Sequence, residues 1–519
     1  ENKAQVAYTQ QVTRSRNIPL LSGSIVIEHK ITLLNYSLEN FQVSFTNMQP
    51  STMSKVQTVP QMRASVRSAQ REGVRAAAVR TSSRPAPSVQ LRNSAVRSLG
   101  HRAAPKGLFS NRTAVSTYAV AVPAQPTTPE TPEFDPSQEF SGLEGRALRN
   151  AMMEYPPKRE ILSKIPEECF KRDTAKSLFY AFLSTAMTAA CGILGYMYIP
   201  MTLAWTPAWI AYAAVTGTVA TGCWVVAHEC GHGAFSDNKM IQDTVGYILH
   251  SLLLVPYFSW QRSHAVHHSR TNHMDEGETH VPSPASKDSS QVQYKIKDTI
   301  GEEAFVIVHA FINLVLGWPL YLLKGASGGP VRGNTNHFYP YAGATGRHAL
   351  FPGQWAGKVW LSDIGIAAVL GGLAYWAYVA GPMTVMALYV GPYIFTNAWL
   401  VGYTWLQHTD VDVPHFDGDN WDWSKGTFMT IDRPYGALID FLHHRIGSTH
   451  VAHHLNHQIP HYHALKATNA IKEAYPQFYL YDPTPIHKAV YRIAAKCIAV
   501  VQVGNMWVWR SKSQQTVAA

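Results

Sequence analysis

Thr221-Gly-Cys-Trp-Val-Val-Ala-His228-Glu-Cys-Gly-His232 closes an apolar run that begins at Leu203. The run is long enough to cross a hydrocarbon core of about 30 Å, and it ends on two histidines four residues apart. On a helix, positions i, i+3 and i+4 share one face. Two later stretches carry the same device more densely: His264-Ala-Val-His267-His268 and His450-Val-Ala-His453-His454. A lone pair of helical histidines at this spacing is weak evidence for a metal. Three such clusters in one chain are strong evidence, because eight imidazoles exceed what one tetrahedral zinc uses. Two metal ions are expected. Neutral nitrogen ligands suit zinc, copper, iron or nickel, and a histidine-only pair beside a buried pocket fits oxygen-activating iron best. Spacing alone does not name the metal.

The remaining apolar runs set the fold class. Ser177–Ile199 and Leu203–Ala227 form one hairpin punctuated at Pro200 and Thr202. Leu361–Ala380 and Met383–Trp405 form a second, broken at Gly381-Pro382. Lys158, Arg159, Lys164, Lys171, Arg172 and Lys176 precede the first span, as the positive-inside rule expects. Val245–Phe258 and Ala304–Leu323 are also apolar. If the clusters share one site they lie on one side of the membrane, so each interval between them holds an even number of crossings. Val245–Phe258 is short and contains His250, and Ala304–Leu323 contains His309, Asn313 and Pro319; both are expected in the interface. The fold class is therefore an all-α integral membrane protein, with four transmembrane helices in two hairpins and a histidine-rich, mainly helical cap on one face.

The three clusters, together with Ala234-Phe-Ser-Asp237, Val255-Pro-Tyr-Phe-Ser-Trp260, Leu406-Gln-His408-Thr409, Asn420-Trp-Asp-Trp423 and Asp432-Arg433, resemble those of the membrane-bound fatty acid desaturases. Relatives of that family include acyl hydroxylases and acetylenases. The resemblance covers about residues 160 to 500. It implies O2-dependent insertion of a cis double bond into a membrane-lipid acyl chain at two iron ions (Fe2+). Their ligands would be His228, His232, His264, His267, His268, His450, His453 and His454, with His408 as a ninth. Metal-bound imidazoles usually donate their far nitrogen to a carboxylate or carbonyl. Glu229, Asp237, Asp275, Glu276, Glu278, Asp410 and Asp432 are placed to accept, Asp237 and Asp432 foremost because they lie in family-like runs. His273, His280, His443, His444, His457, His461 and His463 fall off the register and are read as outer or surface residues. The acyl chain would bend into an apolar pocket lined by aromatic residues such as Tyr257, Phe258, Trp260 and Trp405. No dinucleotide fingerprint or haem module is fused to the chain, so electrons come from a separate carrier, ferredoxin in plastids or cytochrome b5 in the endoplasmic reticulum.

Composition divides the rest. Residues 1–47 have no hydrophobic period and precede Met48, which suggests translated upstream sequence. Residues 48–121 resemble an organelle transit peptide: from Met53 to Thr128 there are twelve Lys or Arg against one acid, Glu72. That stretch supplies about +11 against a whole-chain net charge of +10, leaving the remainder close to neutral, so no nucleic-acid partner follows. Residues 122–158 read as a proline-rich linker, 159–505 as the desaturase-like domain and 506–519 as a tail. The five cysteines, Cys169, Cys191, Cys223, Cys230 and Cys497, show no paired spacing.

Subfamily features conflict. The first cluster through Asp237 and Tyr481-Asp-Pro-Thr-Pro485 look like omega-6 (delta-12) enzymes that use oleoyl chains. Ile446-Gly-Ser-Thr-His450 and Gln458-Ile-Pro-His-Tyr-His463 look like omega-3 enzymes that convert linoleoyl to alpha-linolenoyl. With the transit-like leader, a plastid omega-3 enzyme in the chloroplast membrane is the leading expectation. The alternatives are omega-6 desaturation, a related hydroxylase, and residence in the endoplasmic reticulum. A metal transporter would place histidines within the spans, not at their ends, and a carotenoid hydroxylase would lack the Asn420-Trp-Asp-Trp423 and Asp432-Arg433 context.

Overall fold

The structure, a computed structural model, describes residues 142–510. The leader, the transit-like stretch, most of the linker and residues 511–519 lie outside them. In chain order the helices are α1 (Arg146–Ala151), α2 (Lys158–Ser163), α3 (Thr174–Tyr198), α4 (Thr206–His232), α5 (Lys239–Leu252), α6 (Tyr257–Ser269), α7 (Asp288–Ile300), α8 (Glu302–Lys324), α9 (Trp355–Ala380) and α10 (Pro382–His408). The cap adds α11 (Trp423–Phe428), α12 (Ala437–Leu442), α13 (His450–Leu455), α14 (His461–Ala474) and α15 (Ile486–Lys496). Two small sheets complete it. β1 (Ile431–Asp432) pairs in parallel with β2 (Leu480–Tyr481), and β3 (Val500–Val503) pairs antiparallel with β4 (Met506–Trp509).

The sequence dictates where the long helices stop. The carboxylate of Asp173 caps α3 by accepting the Lys176 amide at 3.0 Å. α4 ends on its second histidine because Gly233 adopts φ 76°, and the Gly233 and Ala234 amides return to the Cys230 and Glu229 carbonyls. Gly381, at φ 88°, with Pro382 makes the bend between α9 and α10. Outward-facing residues of the spans are apolar and exposed, among them Phe182, Ile193, Ile364 and Val379, as a lipid environment requires. The chain is a multi-pass membrane protein.

Among the described residues five helices, not four, are long and apolar enough to cross: α3, α4, α8, α9 and α10. α8 is the addition. His309, in its first half, lies with Nδ1 2.9 Å from the Ala494 carbonyl of α15, while Tyr321, near its other end, lies 2.9 Å from Ser263 of α6. Both ends thus touch the histidine-bearing cap. A helix held this way at both ends need not cross, although Ile307, Phe311 and Leu323 are turned outward, and the other four helices satisfy the parity condition. Val245–Phe258 is not one segment: α5 ends at Leu252, and a turn with Leu254 at φ 53° separates it from α6.

Two boundaries need correction. Residues 142–158 are not an extended linker, because Leu143, Ala147 and Ala151 are buried against Val413, Met429 and Leu480. Nor does the domain end at 505: Met506 and Val508 pack in the same cluster through the β3–β4 hairpin. Proline spacing and a short polar tail hid these contacts.

A buried ionic cluster anchors the cap to the spans. Arg433 and Arg492 are buried with Asp410 and Asp482. Arg433 donates to Asp410 at 2.7 Å and to Asp482, and Arg492 donates to Asp410 at 2.5 Å and to Asp482 at 2.7 Å. Arg433 Nε also donates to the Leu406 carbonyl at 2.9 Å, fixing the end of α10 two residues before His408. Removing one member leaves a buried charge uncompensated, which costs roughly 3–5 kcal/mol.

Candidate metal centre

Nine imidazoles converge from four places. The last turn of α4 supplies His228 and His232, α6 supplies His264, His267 and His268, the end of α10 supplies His408, and α13 supplies His450, His453 and His454. They sort into two groups. His228, His232, His264, His268 and His453 offer donor nitrogens within 4.8 Å of one another, and so do His267, His408 and His454. His450 joins the second group, its Nε2 3.0 Å from that of His408. Within the first group, Nε2 of His228 lies 3.0 Å from that of His264 and 3.1 Å from that of His232. Nε2 of His267 lies 3.2 Å from that of His408 in the second.

These contacts test whether the residues fit a cation. A neutral imidazole has one N–H and one lone pair, so at most one nitrogen of each close Nε2 pair carries a proton. His228 Nε2 faces two such neighbours at once. Nε2 of His453 and of His454 are buried with no hydrogen-bond partner. Burial, reinforced by neighbouring imidazoles, holds His264, His268, His450, His453 and His454 well below the usual histidine range. His267 is lowered to about 3 by burial and then by His280. Neutral rings with converging lone pairs are what a metal ligand set requires. Both groups are all-nitrogen, and their number and sizes exceed one tetrahedral zinc site. The donor set fits a metal centre.

One ligand's tautomer follows from its surroundings. The Thr271 hydroxyl donates to the His267 carbonyl at 2.9 Å, and its oxygen lies 3.1 Å from His454 Nδ1. With its proton so engaged, Thr271 accepts, so His454 carries hydrogen on Nδ1 and turns the lone pair of Nε2 to the centre. Thr271, four residues after His267, was absent from the sequence reading. The residue spacing was available, but nothing in it marks a threonine as an imidazole partner.

The two favoured carboxylates do not contact imidazoles. Asp432 is buried, and its Oδ1 accepts the Val451 amide at 2.9 Å while Oδ2 accepts the Tyr479 hydroxyl at 2.5 Å. It holds the backbone at the start of α13. Burial raises its pKa to about 6. Asp237 is exposed and pairs with Arg172 at 2.7 Å. Of the other acids, Glu229 accepts the His461 amide at 2.8 Å and Glu276 pairs with Arg270. Glu278 is raised to about 7 by burial and lies 2.9 Å from the Tyr321 hydroxyl. Two histidines read as peripheral stand beside the centre. His280 stacks on His408 with ring centroids 5.5 Å apart, and His457 lies 4.7 Å from His232.

α13 has only six residues, too few to be stable alone. Val451, Ala452 and Leu455 on its other side are buried against Ile161, Phe428 and Ile471, so packing fixes the helix that presents three imidazoles. Cys230 is also buried, among Tyr257, Phe258 and Leu249, as a packing residue.

A cavity of about 200 Å³ reaches His264 and His280 from between α8 and α10, walled by Trp224, Trp260, Trp318, Leu400 and Trp405. Trp260 stacks on His264 with centroids 4.5 Å apart. Trp260 and Trp405 therefore occupy the expected lining positions. Tyr257 and Phe258 do not; they pack in the core between α4, α5 and α6.

Residues 203–484 match the family described as fatty acid desaturase. The chain is 41% identical over 345 residues to the Delta(12)-fatty-acid desaturase of Arabidopsis thaliana, covering 66% of this chain and 86% of that one. It is 42% identical over 345 residues to the Delta(12)-acyl-lipid-desaturase of Punica granatum, with the same coverage. Its identity to the Omega-6 fatty acid desaturase, endoplasmic reticulum, of Brassica juncea is 39% over 374 residues, 71% of this chain and 94% of the relative.

Proposed function

The chain belongs to the fatty acid desaturase family and is an O2-dependent acyl-lipid desaturase; from that premise we propose that it inserts the omega-6 (delta-12) double bond into oleoyl chains at a pair of irons. Roughly 40% identity to enzymes named for delta-12 or omega-6 desaturation, along nearly their whole length, carries this reading. It is favoured over the omega-3 expectation, which rested on a few residues around the third cluster and on the transit-like leader. The first iron is assigned to His228, His232, His264, His268 and His453, the second to His267, His408, His450 and His454, in support of which stand the two convergent groups of imidazoles.

When bound, the irons would supply the oxidising power to break unactivated C–H bonds, which no side chain has. The protein's part is to place and enclose. The cavity would hold the acyl chain by apolar contact, with the indoles of Trp224, Trp260 and Trp405 excluding water beside His264. Neutral imidazoles keep their lone pairs inward, and Thr271 fixes the proton of His454 on the far side.

The test is the acyl profile of a host that makes oleate but no polyunsaturates, expressing residues 48–519. Linoleate formed without any supplement is the expected result. Alpha-linolenate formed only on added linoleate would restore omega-3 activity, and a hydroxy acid would make the enzyme a hydroxylase. Relatives named for the endoplasmic reticulum favour that membrane and cytochrome b5 as donor. The arginine-rich leader favours a plastid and ferredoxin, and a fluorescent fusion carrying residues 48–121 separates the two.

A further inference from the structure

The run Asn420-Trp-Asp-Trp423 is family-like, yet neither tryptophan touches the centre or the cavity. We infer that Trp421 is the surface end of the path by which electrons reach the second group of histidines. Its indole is partly exposed. Nε1–H donates to the Thr271 carbonyl at 2.8 Å, and the hydroxyl of that same Thr271 lies 3.1 Å from His454 Nδ1 and donates to the His267 carbonyl. One residue therefore joins a surface indole to one imidazole of that group and to the backbone of another. The contact is built. A Cβ at Gly426 would stand 2.3 Å from the Thr271 oxygen and 2.6 Å from Trp421 Nε1, so only glycine lets the indole seat there.

The outer side of the ring is held as well. The Arg270 guanidinium, paired with Glu276, sits 5.3 Å from the ring centroid, and the His273 ring is 5.2 Å away. Trp423, two residues on, lies under Lys158 at 4.2 Å and packs instead against the core cluster of Phe428 and Ile471.

Desaturation needs such a path. One –CH2–CH2– unit and one O2 take up two electrons and two protons, giving –CH=CH– and two H2O. The electrons come from a small one-electron carrier, oxidised twice per turnover. Electrons pass along hydrogen-bonded contacts by tunnelling, and Trp421 itself is neither oxidised nor reduced. It is a positioning residue for electron entry, not one that touches substrate.

This inference rests on the iron reading, and the test separates the two. Wild-type protein, Trp421→Phe and Trp423→Phe are purified in detergent, and bound iron is measured. Anaerobic reduction of the iron is then followed by stopped flow, with dithionite and with reduced cytochrome b5 or ferredoxin. Trp421→Phe keeps the ring and loses the N–H. The expected result is unchanged iron content and dithionite rate, carrier-driven reduction slowed at least 10-fold in Trp421→Phe, and less than 2-fold change in Trp423→Phe. An unchanged carrier rate overturns the path. Equal slowing with dithionite, or loss of iron from Trp421→Phe alone, also overturns it by making Trp421 a structural prop. Slowing in His457→Gln with none in Trp421→Phe would move the entry to the ring beside His232. Wild-type protein without iron would sink the iron reading and the inference with it.

Discussion

The two ends of the centre are held by different physics. His228 and His232 stand on the last turn of α4, a 27-residue helix whose own geometry aims both rings. His408 and His450 stand at helix ends, one closing α10 and one opening the six-residue α13. Nothing local would keep those two in place. Packing of α13 and polar contacts from distant sequence do so: Arg433 on the Leu406 carbonyl and Asp432 on the Val451 amide, while Thr271 orients the neighbouring His454. A site built on one helix needs spacing, whereas one assembled from helix ends needs a supporting network.

Replacing a ligand removes the difference between the two ends, and it should have the largest effect. His268→Ala is expected to cut product by more than about 100-fold, beyond what loss of an outer partner alone costs. Fatty-acid analysis of the expressing host, with bound iron measured in parallel, checks it. Arg433→Leu attacks the network. It leaves buried Asp410 and Asp482 to share Arg492 alone, one negative charge uncompensated, with a cost of roughly 3–5 kcal/mol, so the protein should accumulate poorly and lose its thermal transition in detergent. Full accumulation would show that the network is dispensable.

Thr271→Val sharpens the comparison, because it should weaken only the second group. Iron affinity there is expected to fall roughly 10- to 100-fold, so dialysis against a chelator should remove about half of the iron before the rest. Parallel loss of both irons would contradict the division. Asp237→Ala should do least. An exposed ion pair is worth about 0–1 kcal/mol, and Asp237 touches no imidazole, so product yield should stay within about 2-fold of wild type in the same host assay.

That contrast also explains what could be read in advance. The imidazoles of α4, α6 and α13 announce themselves by i, i+3 and i+4 spacing, and the hairpins by their apolar runs. His408 is read as a ninth ligand from its place at the end of a span, and its ring lies beside His267 and His454. The supporting contacts were not legible, because they join residues far apart in sequence and often end on backbone: Asp432 was assigned an imidazole and holds an amide instead. Tyr257 and Phe258 were misplaced for a related reason, since an aromatic run on a helix does not say which side faces a cavity and which a core. Residues 142–158 looked like linker because a short helix with three buried small or aliphatic residues has no signature of its own.

The most direct test of the central claim is the metal content of purified protein, measured by elemental analysis for wild type and for His408→Ala. Two irons per chain in wild type, with loss confined to about one in the variant, is the predicted result. One metal per chain, zinc in place of iron, or an unchanged count in His408→Ala would contradict it.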